Sequence, residues 1–271
     1  MKALVYRRGG LGDTLLTFPI LEILKRRGYR ITAVGNTDYF RIAKEVGWAD
    51  GVLSEIPDES FDKKVIVSFE GNVRPFPESR VWIVEHYLRS LALEEEEFSK
   101  KLPLDTLPDS PFAGKAVLHP SSGSPKKNPS LELFHMIESF LRSKGIESLY
   151  IVGEADYWLK GRVKNFVESY EPLWIARALK SALLYVGLDS GISHLASYVG
   201  VPCVVIYGPS DPVVWRPIGE MVHVVSLELE CSPCFPNVCS QRECLSVPKL
   251  SEKLLPLLDH LLVNIDKNNP L

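Results

Sequence analysis

Ala3-Leu4-Val5-Tyr6-Arg7-Arg8-Gly9-Gly10-Leu11-Gly12-Asp13 is the stretch on which the fold turns. The apolar run from Ala3 to Tyr6 has the length and composition of a buried strand. The glycines that follow make a tight turn. Leu15, Phe18, Leu21 and Leu24 then recur at helical spacing, so a helix is predicted over 14–26, ended by Gly28. Strand, turn and helix open a unit whose next strand must return parallel to the first.

Outward from this stretch the same rhythm repeats. Strands are predicted at 31–34 and 65–69 with a helix at 39–46 between them. From Pro103 to Pro111 three prolines with Asp and Ser between them read as a linker. The rhythm then restarts, with strands at 116–118, 148–152, 184–186 and 203–207. Helices are predicted at 131–144, after Glu154, and at 193–199, with an amphipathic helix over 251–263. The expected fold is α/β, with two Rossmann-like domains (1–110 and 111–271) whose parallel sheets face a central cleft. Ligands are expected at the carboxyl ends of the strands.

The chain has 271 residues, of which 45% are hydrophobic and 24% charged, enough to bury a sizeable core in two domains. A formal net charge of -3 leaves no excess of Lys and Arg to neutralise nucleic-acid phosphates, so no nucleic-acid partner is expected. The apolar run at the start is too short for a secretory leader, and its arginines come after it rather than before. The run from Val199 to Tyr207 is broken by Pro202 and falls far short of a membrane span. The expected compartment is the cytoplasm, with peripheral contact at the inner membrane left open.

Four segments could carry chemistry. In the first, Gly10 and Gly12 let backbone approach a ligand, and Leu15 stands where a dinucleotide fingerprint needs a third glycine. Asp13, in the first helical turn, should stay ionised, which suits a general base; the structural alternative is a helix cap. In the second, His119-Pro120-Ser121-Ser122-Gly123-Ser124 leads into Pro125-Lys126-Lys127-Asn128. Small hydroxyl residues and two ammonium groups beyond a strand make a diphosphate cradle. The third segment, Asp189-Ser190-Gly191-Ile192-Ser193-His194, is again a strand end and helix start with amides for a phosphate. Taken singly, Asp189 reads as a cap and His194 as a packed helix residue. The fourth, Tyr207 to Pro212, is a sharp turn at a strand end.

Together these segments resemble glycosyltransferase family 9, which contains the ADP-heptose:lipopolysaccharide heptosyltransferases. The resemblance rests on Gly12-Asp13, His119 to Asn128, Asp189 to His194, Gly200-Val201-Pro202, Gly208 to Pro212 and Trp215, and runs from about Gly9 to Leu245. It implies a GT-B fold, an acceptor-binding N-terminal domain, a donor-binding C-terminal domain, and inverting transfer without a required metal. By the same resemblance Asp13 is the catalytic base, and Lys127 steadies the departing diphosphate, with Lys126 as its rival. Glu154 contacts the nucleotide ribose, Asp156 being the competing alignment. Asp189 contacts the donor sugar, and Gly191 and His194 lie beside the diphosphate. Ser122, Gly123 and Ser190 complete the donor set, and Gly10 and Gly12 form the acceptor-side loop. Two positions depart from the family pattern: Ser121 replaces a usual glycine and Pro129 a usual tryptophan. The chain is also shorter than the well-known heptosyltransferases, chiefly in its N-terminal domain.

Cys231, Cys234, Cys239 and Cys244 have the spacing C-x2-C-x4-C-x4-C. Four thiols in one loop could ligate zinc or an iron–sulfur cluster; otherwise they are free thiols or an opportunistic disulfide. The expected function is transfer of a sugar, heptose from ADP-heptose leading, to a lipopolysaccharide-core or other lipid-linked glycan. The alternatives are a non-catalytic sugar-nucleotide or glycan-binding module and a sugar-nucleotide epimerase on the same fold.

Overall fold

Every strand pair in the structure, a computed structural model describing residues 1–237 and 239–268, runs parallel. The first sheet contains β1 (Lys2–Arg7), β2 (Arg30–Gly35), β3 (Gly51–Leu53) and β4 (Lys63–Val67), in the order β3-β2-β1-β4. The second contains β5 (Ala116–His119), β6 (Ser148–Val152), β7 (Phe166–Glu168), β8 (Leu184–Leu188), β9 (Cys203–Ile206) and β10 (Val222–Val225). Its order, β10-β9-β8-β5-β6-β7, is that of a complete doubly wound Rossmann sheet. The first sheet repeats the start of that pattern. Two Rossmann-like sheets in one chain are the GT-B type of fold.

Strand order reverses between β1 and β4 in one sheet and between β5 and β8 in the other. Helices leave opposite faces at these points, so a crevice opens at the carboxyl ends of the strands. Three of the four segments singled out in the sequence follow β1, β5 and β8. The fourth follows β9, next to β8.

The helix expected over 14–26 is two helices, α1 (Leu11–Leu15) and α2 (Phe18–Arg26). Pro19 has no N–H to continue a ladder and sits in the first turn of α2, while the Thr17 amide and hydroxyl both donate to the Thr14 carbonyl. The strand expected to run to Phe69 ends at Val67. The helix expected after Glu154 is a 3-10 turn, Glu154–Leu159. The remaining helices are α3 (Thr37–Glu45), α4 (Ile83–Ser90), α5 (Leu131–Ser143), α6 (Pro172–Leu179), α7 (Gly191–Tyr198), α8 (Pro212–Trp215) and α9 (Val247–Asn268).

One apolar cluster runs from beneath the first sheet to the second. Tyr198 of α7 packs with Phe18 of α2 and with Trp48, at ring-centroid distances of 6.4 and 6.2 Å. Burying each such ring contributes on the order of 2 kcal/mol. The proline-rich stretch is irregular but anchored: Leu102 and Leu104 are buried, and the Leu102 amide donates to the Tyr198 carbonyl at 2.7 Å. Among the described residues no helix is long and apolar enough to cross a membrane.

Candidate functional site

Gly10 caps α1, and its amide donates to Asp13 Oδ2 at 3.0 Å. The other carboxylate oxygen of Asp13 accepts from Arg7 Nη2 at 2.7 Å. Arg7 is the last residue of β1 and buried, so the strand end itself delivers the guanidinium. Asp13 is thus held on both oxygens and still about one-third exposed, oriented without being enclosed. The sequence reading passed over Arg7 because a basic residue at a strand end usually faces water.

On the other side of the crevice, Lys127 reaches Asp189 twice. Its Nζ donates to the Asp189 carbonyl at 2.7 Å and to Oδ2 at 3.0 Å. The neighbouring Lys126 turns away and donates to the Pro236 carbonyl at 2.7 Å. Geometry therefore separates the two lysines that the sequence left as rivals. Ser122 is buried and donates within its own loop, to the Ser124 carbonyl and Asn128 Oδ1, while Gly123 is exposed with open space around it.

The two sides meet where α1 and α7 abut. A Cβ on Gly12 would stand 2.9 Å from His194 Cδ2, and one on Gly191 would stand 2.8 Å from Leu11 Cβ. These glycines are needed for close approach, and they put Asp13, His194 and the start of α7 around one crevice. His194 is buried, and its Nδ1 has no protein partner. Burial holds its pKa down at about 4, with Lys127 lowering it further while Asp189 and Asp13 oppose, so the ring is neutral at pH 7.

Ser190 caps α7 by accepting from the Ser193 amide, and its hydroxyl lies 3.3 Å from His119 Nδ1. The far side of that imidazole, Nε2, is 3.1 Å from Asp156 Oδ2. Burial alone would raise Asp156, but hydrogen bonds from His119, Ser121 and the Gly153 amide prevail and hold it at about 2. Asp156 is therefore a buried support of the β5 and β8 loops. Glu154, its rival for the ribose contact, is exposed at the end of β6, near enough to Tyr39 of α3 to help burial raise that phenol.

Two further features went unread in the sequence. Arg80 grips Asp211 through both carboxylate oxygens at 2.7 and 3.1 Å, although the residues are 131 positions apart. Exposed Phe69 and Phe76 stack beside Trp215, with centroid distances of 5.6 and 5.7 Å along the row. A cavity of about 480 Å³ lies at the opposite, amino ends of β5 and β6 and takes no part in this crevice.

Residues 174–245 match the model for glycosyltransferase family 9 (heptosyltransferase). This stretch is similar to that family. It holds the Asp189–His194 and Gly208–Pro212 segments and all four clustered cysteines, but neither Asp13 nor Lys127. Lipopolysaccharide heptosyltransferase 1 of Pseudomonas aeruginosa is 33% identical over 67 residues, which are 24% of this chain and 19% of that protein. The aligned stretch thus spans about a fifth of that relative. Among solved structures, the Escherichia coli ADP-heptose LPS heptosyltransferase II is similar with a TM-score of 0.76 at 14% identity, over 97% of this chain and 99% of that one. The iron-containing dodecameric glycosyltransferase TibC of enterotoxigenic E. coli is similar at 0.77 and 18% identity, over 97% and 76% of the two chains. These likenesses extend the common fold over nearly the whole chain.

Proposed function

We propose that the chain is an inverting glycosyltransferase that moves a sugar, heptose from ADP-heptose foremost, to a lipopolysaccharide-core or related lipid-linked glycan. The carrying observation is the α1–α7 contact, which puts a doubly held carboxylate opposite a helix start and a half-buried lysine. Residues 1–110 present the acceptor and residues 111–271 hold the donor. The diphosphate lies over the first amides of α7, where an anion is favoured, with Lys127 beside it. Asp13 takes the proton of the acceptor hydroxyl as its oxygen attacks the anomeric carbon from the face opposite the diphosphate. Lys127 and the amides stabilise the charge that develops on the leaving group. Glu154 holds the ribose from the end of β6. No step requires a metal. Contact with a lipid-linked acceptor would bring the protein to the cytoplasmic face of the inner membrane.

Asp13→Asn tests this reading. The amide keeps the size of the carboxylate but cannot accept the proton, so transfer should fall by about a hundredfold or more while ADP affinity by calorimetry stays the same. Near-normal turnover would remove Asp13 from the reaction. Donor conversion without any acceptor would instead favour the epimerase.

A further inference from the structure

Loop 68–82 leaves the carboxyl end of β4, which pairs with β1 so that Val67 stands beside Arg7, the residue that holds Asp13. The sheet therefore brings this loop to the same edge of the crevice as the carboxylate. Its turn is tied down at several points. Asn72 Oδ1 accepts from the Ile66 amide at 2.8 Å, its Nδ2 donates to the Lys64 carbonyl at 3.0 Å, and a Cβ on Gly71 would collide with the Ile66 carbonyl oxygen. From α4, His86 Nε2 and the Tyr87 hydroxyl donate to the carbonyls of Arg74 and Pro75 at 3.0 and 3.4 Å. What this tied loop presents to water is two phenyl rings, Phe69 at 66% exposure and Phe76 at 50%. One exposed ring needs no special account, but a row of rings rimmed by charges marks a binding surface.

The row continues into the other domain. Phe69 and Phe76 lie 5.6 Å apart with their planes at 39°, and Phe76 meets the indole of Trp215 at 5.7 Å and 82°. Trp215 ends α8, beyond the turn that follows β9 of the second sheet. Two polar contacts hold the same junction. They are the Arg80–Asp211 pair and the hydrogen bond from Trp82 Nε1 to the Arg216 carbonyl at 2.9 Å. We propose that Phe69, Phe76 and Trp215 form a stacking subsite for a pyranose ring of the acceptor glycan, shared by both domains rather than confined to residues 1–110.

The chemistry of the row fits a sugar. A pyranose has an apolar face of C–H groups and an edge of hydroxyls. The negative face of an aromatic ring attracts C–H hydrogens, and covering it removes apolar area from water. The hydroxyl edge needs donors and acceptors, and Glu70, Arg74 and Glu78 stand exposed on the same loop. Charge favours a glycan over a membrane surface. The loop sets two carboxylates, Glu70 and Glu78, against two guanidiniums, Arg74 and Arg80, so it has no net charge with which to seek anionic lipid. The row also bridges the domains beside the loops of β4 and β9, where a glycan presenting its hydroxyl to Asp13 would lay its neighbouring sugars. The subsite takes its ligand from the transferase reading and adds that a ring outside the reacting sugar sets acceptor affinity.

The test is calorimetric titration of the full chain with oligosaccharides obtained by deacylating lipopolysaccharides truncated at successive core sugars, beside titration with ADP. At least one oligosaccharide should bind the wild type. Phe69→Ala and Phe76→Ala should each weaken that binding about tenfold and leave ADP affinity within about twofold. Phe76→Tyr, which keeps the ring, should bind as the wild type does, and so should Phe166→Ala, which removes an exposed ring on β7. Trp215→Leu should weaken oligosaccharide binding likewise; unchanged affinity would overturn the sharing between domains. Should that variant fail to fold, the Trp215 fluorine resonance of fluorotryptophan-labelled protein should shift on adding oligosaccharide, and a fixed resonance would count the same way. A wild type that binds none of the oligosaccharides would overturn the proposal, as would alanine variants that bind them undiminished. Alanine variants that instead lose binding to vesicles of phosphatidylethanolamine with phosphatidylglycerol would assign the row to lipid. Full turnover in Asp13→Asn, with oligosaccharide binding still dependent on Phe76, would sink the transferase mechanism and leave the subsite. Alanine variants with normal turnover and unchanged acceptor KM would sink the subsite and leave the mechanism.

Discussion

Gly12 lies so close to His194 that a Cβ on it would stand 2.9 Å from the ring Cδ2, and Gly191 has the matching relation to Leu11. The α1–α7 contact is therefore set by the absence of two methyl groups. Gly191→Ala should force these helix starts apart, since its Cβ would also meet the Gly12 amide nitrogen at 3.1 Å and backbone yields little. Overpacking of this kind costs about 1–3 kcal/mol. A melting temperature lowered by several degrees, with transfer reduced more than ADP binding, is the expected result. Alanine at 191 with normal stability and turnover would show that this contact does not position Asp13.

Arg7 acts on the reaction through Asp13. Arg7→Met removes the guanidinium that holds Oδ1 and leaves only the Gly10 amide on Oδ2, so the carboxylate can rotate out of line. Misplacement of a reacting group by about 1 Å costs on the order of a hundredfold in rate. The turnover number should fall toward that extent with little change in donor KM, and Arg7→Lys should restore part of it. An equal loss of ADP affinity would instead mean that Arg7 merely supports the fold.

The two lysines make a sharper pair. Lys127→Ala should reduce transfer by about a hundredfold or more and weaken ADP binding, because it removes a cation poised beside the α7 start. Lys126→Ala should alter turnover far less, since its ammonium is engaged with Pro236. Steady-state kinetics of both variants at one donor concentration series decides this. The reverse ranking would transfer the leaving-group role to Lys126.

Local pattern carried much of this in the sequence. The βα rhythm gave both parallel sheets, and strand ends bearing Gly12-Asp13, Lys127 and Asp189 stood out because small residues follow apolar runs there. What escaped was of two kinds. The break between α1 and α2 hides inside continuous apolar spacing, Leu15, Phe18, Leu21, Leu24, and only the ladder gap at Pro19 produces it. The short edge strands β7 and β10 carry too few residues for a period to show. Partnerships across long separations escaped as well. His119 with Asp156 and Arg80 with Asp211 are pairs that only the fold brings together.

His194 should give the protein an acid sensitivity of its own. Its folded pKa of about 4 lies below the unfolded value of about 6.5, so the unfolded chain takes up the proton first as pH falls. The stability that comes from keeping it neutral is complete above about pH 6.5 and is lost as pH drops toward 4. At pH 4.5 the loss from this group alone should be about 2–3 kcal/mol. Asp156 is also depressed, to about 2, but its contribution fades only below about pH 4, so the two windows separate. Urea unfolding of wild type and His194→Gln at pH 7 and pH 4.5 isolates the effect. The wild type should lose about 2–3 kcal/mol more than the variant between these pH values. Parallel losses in the two proteins would mean that His194 is charged, or hydrated, in the folded state.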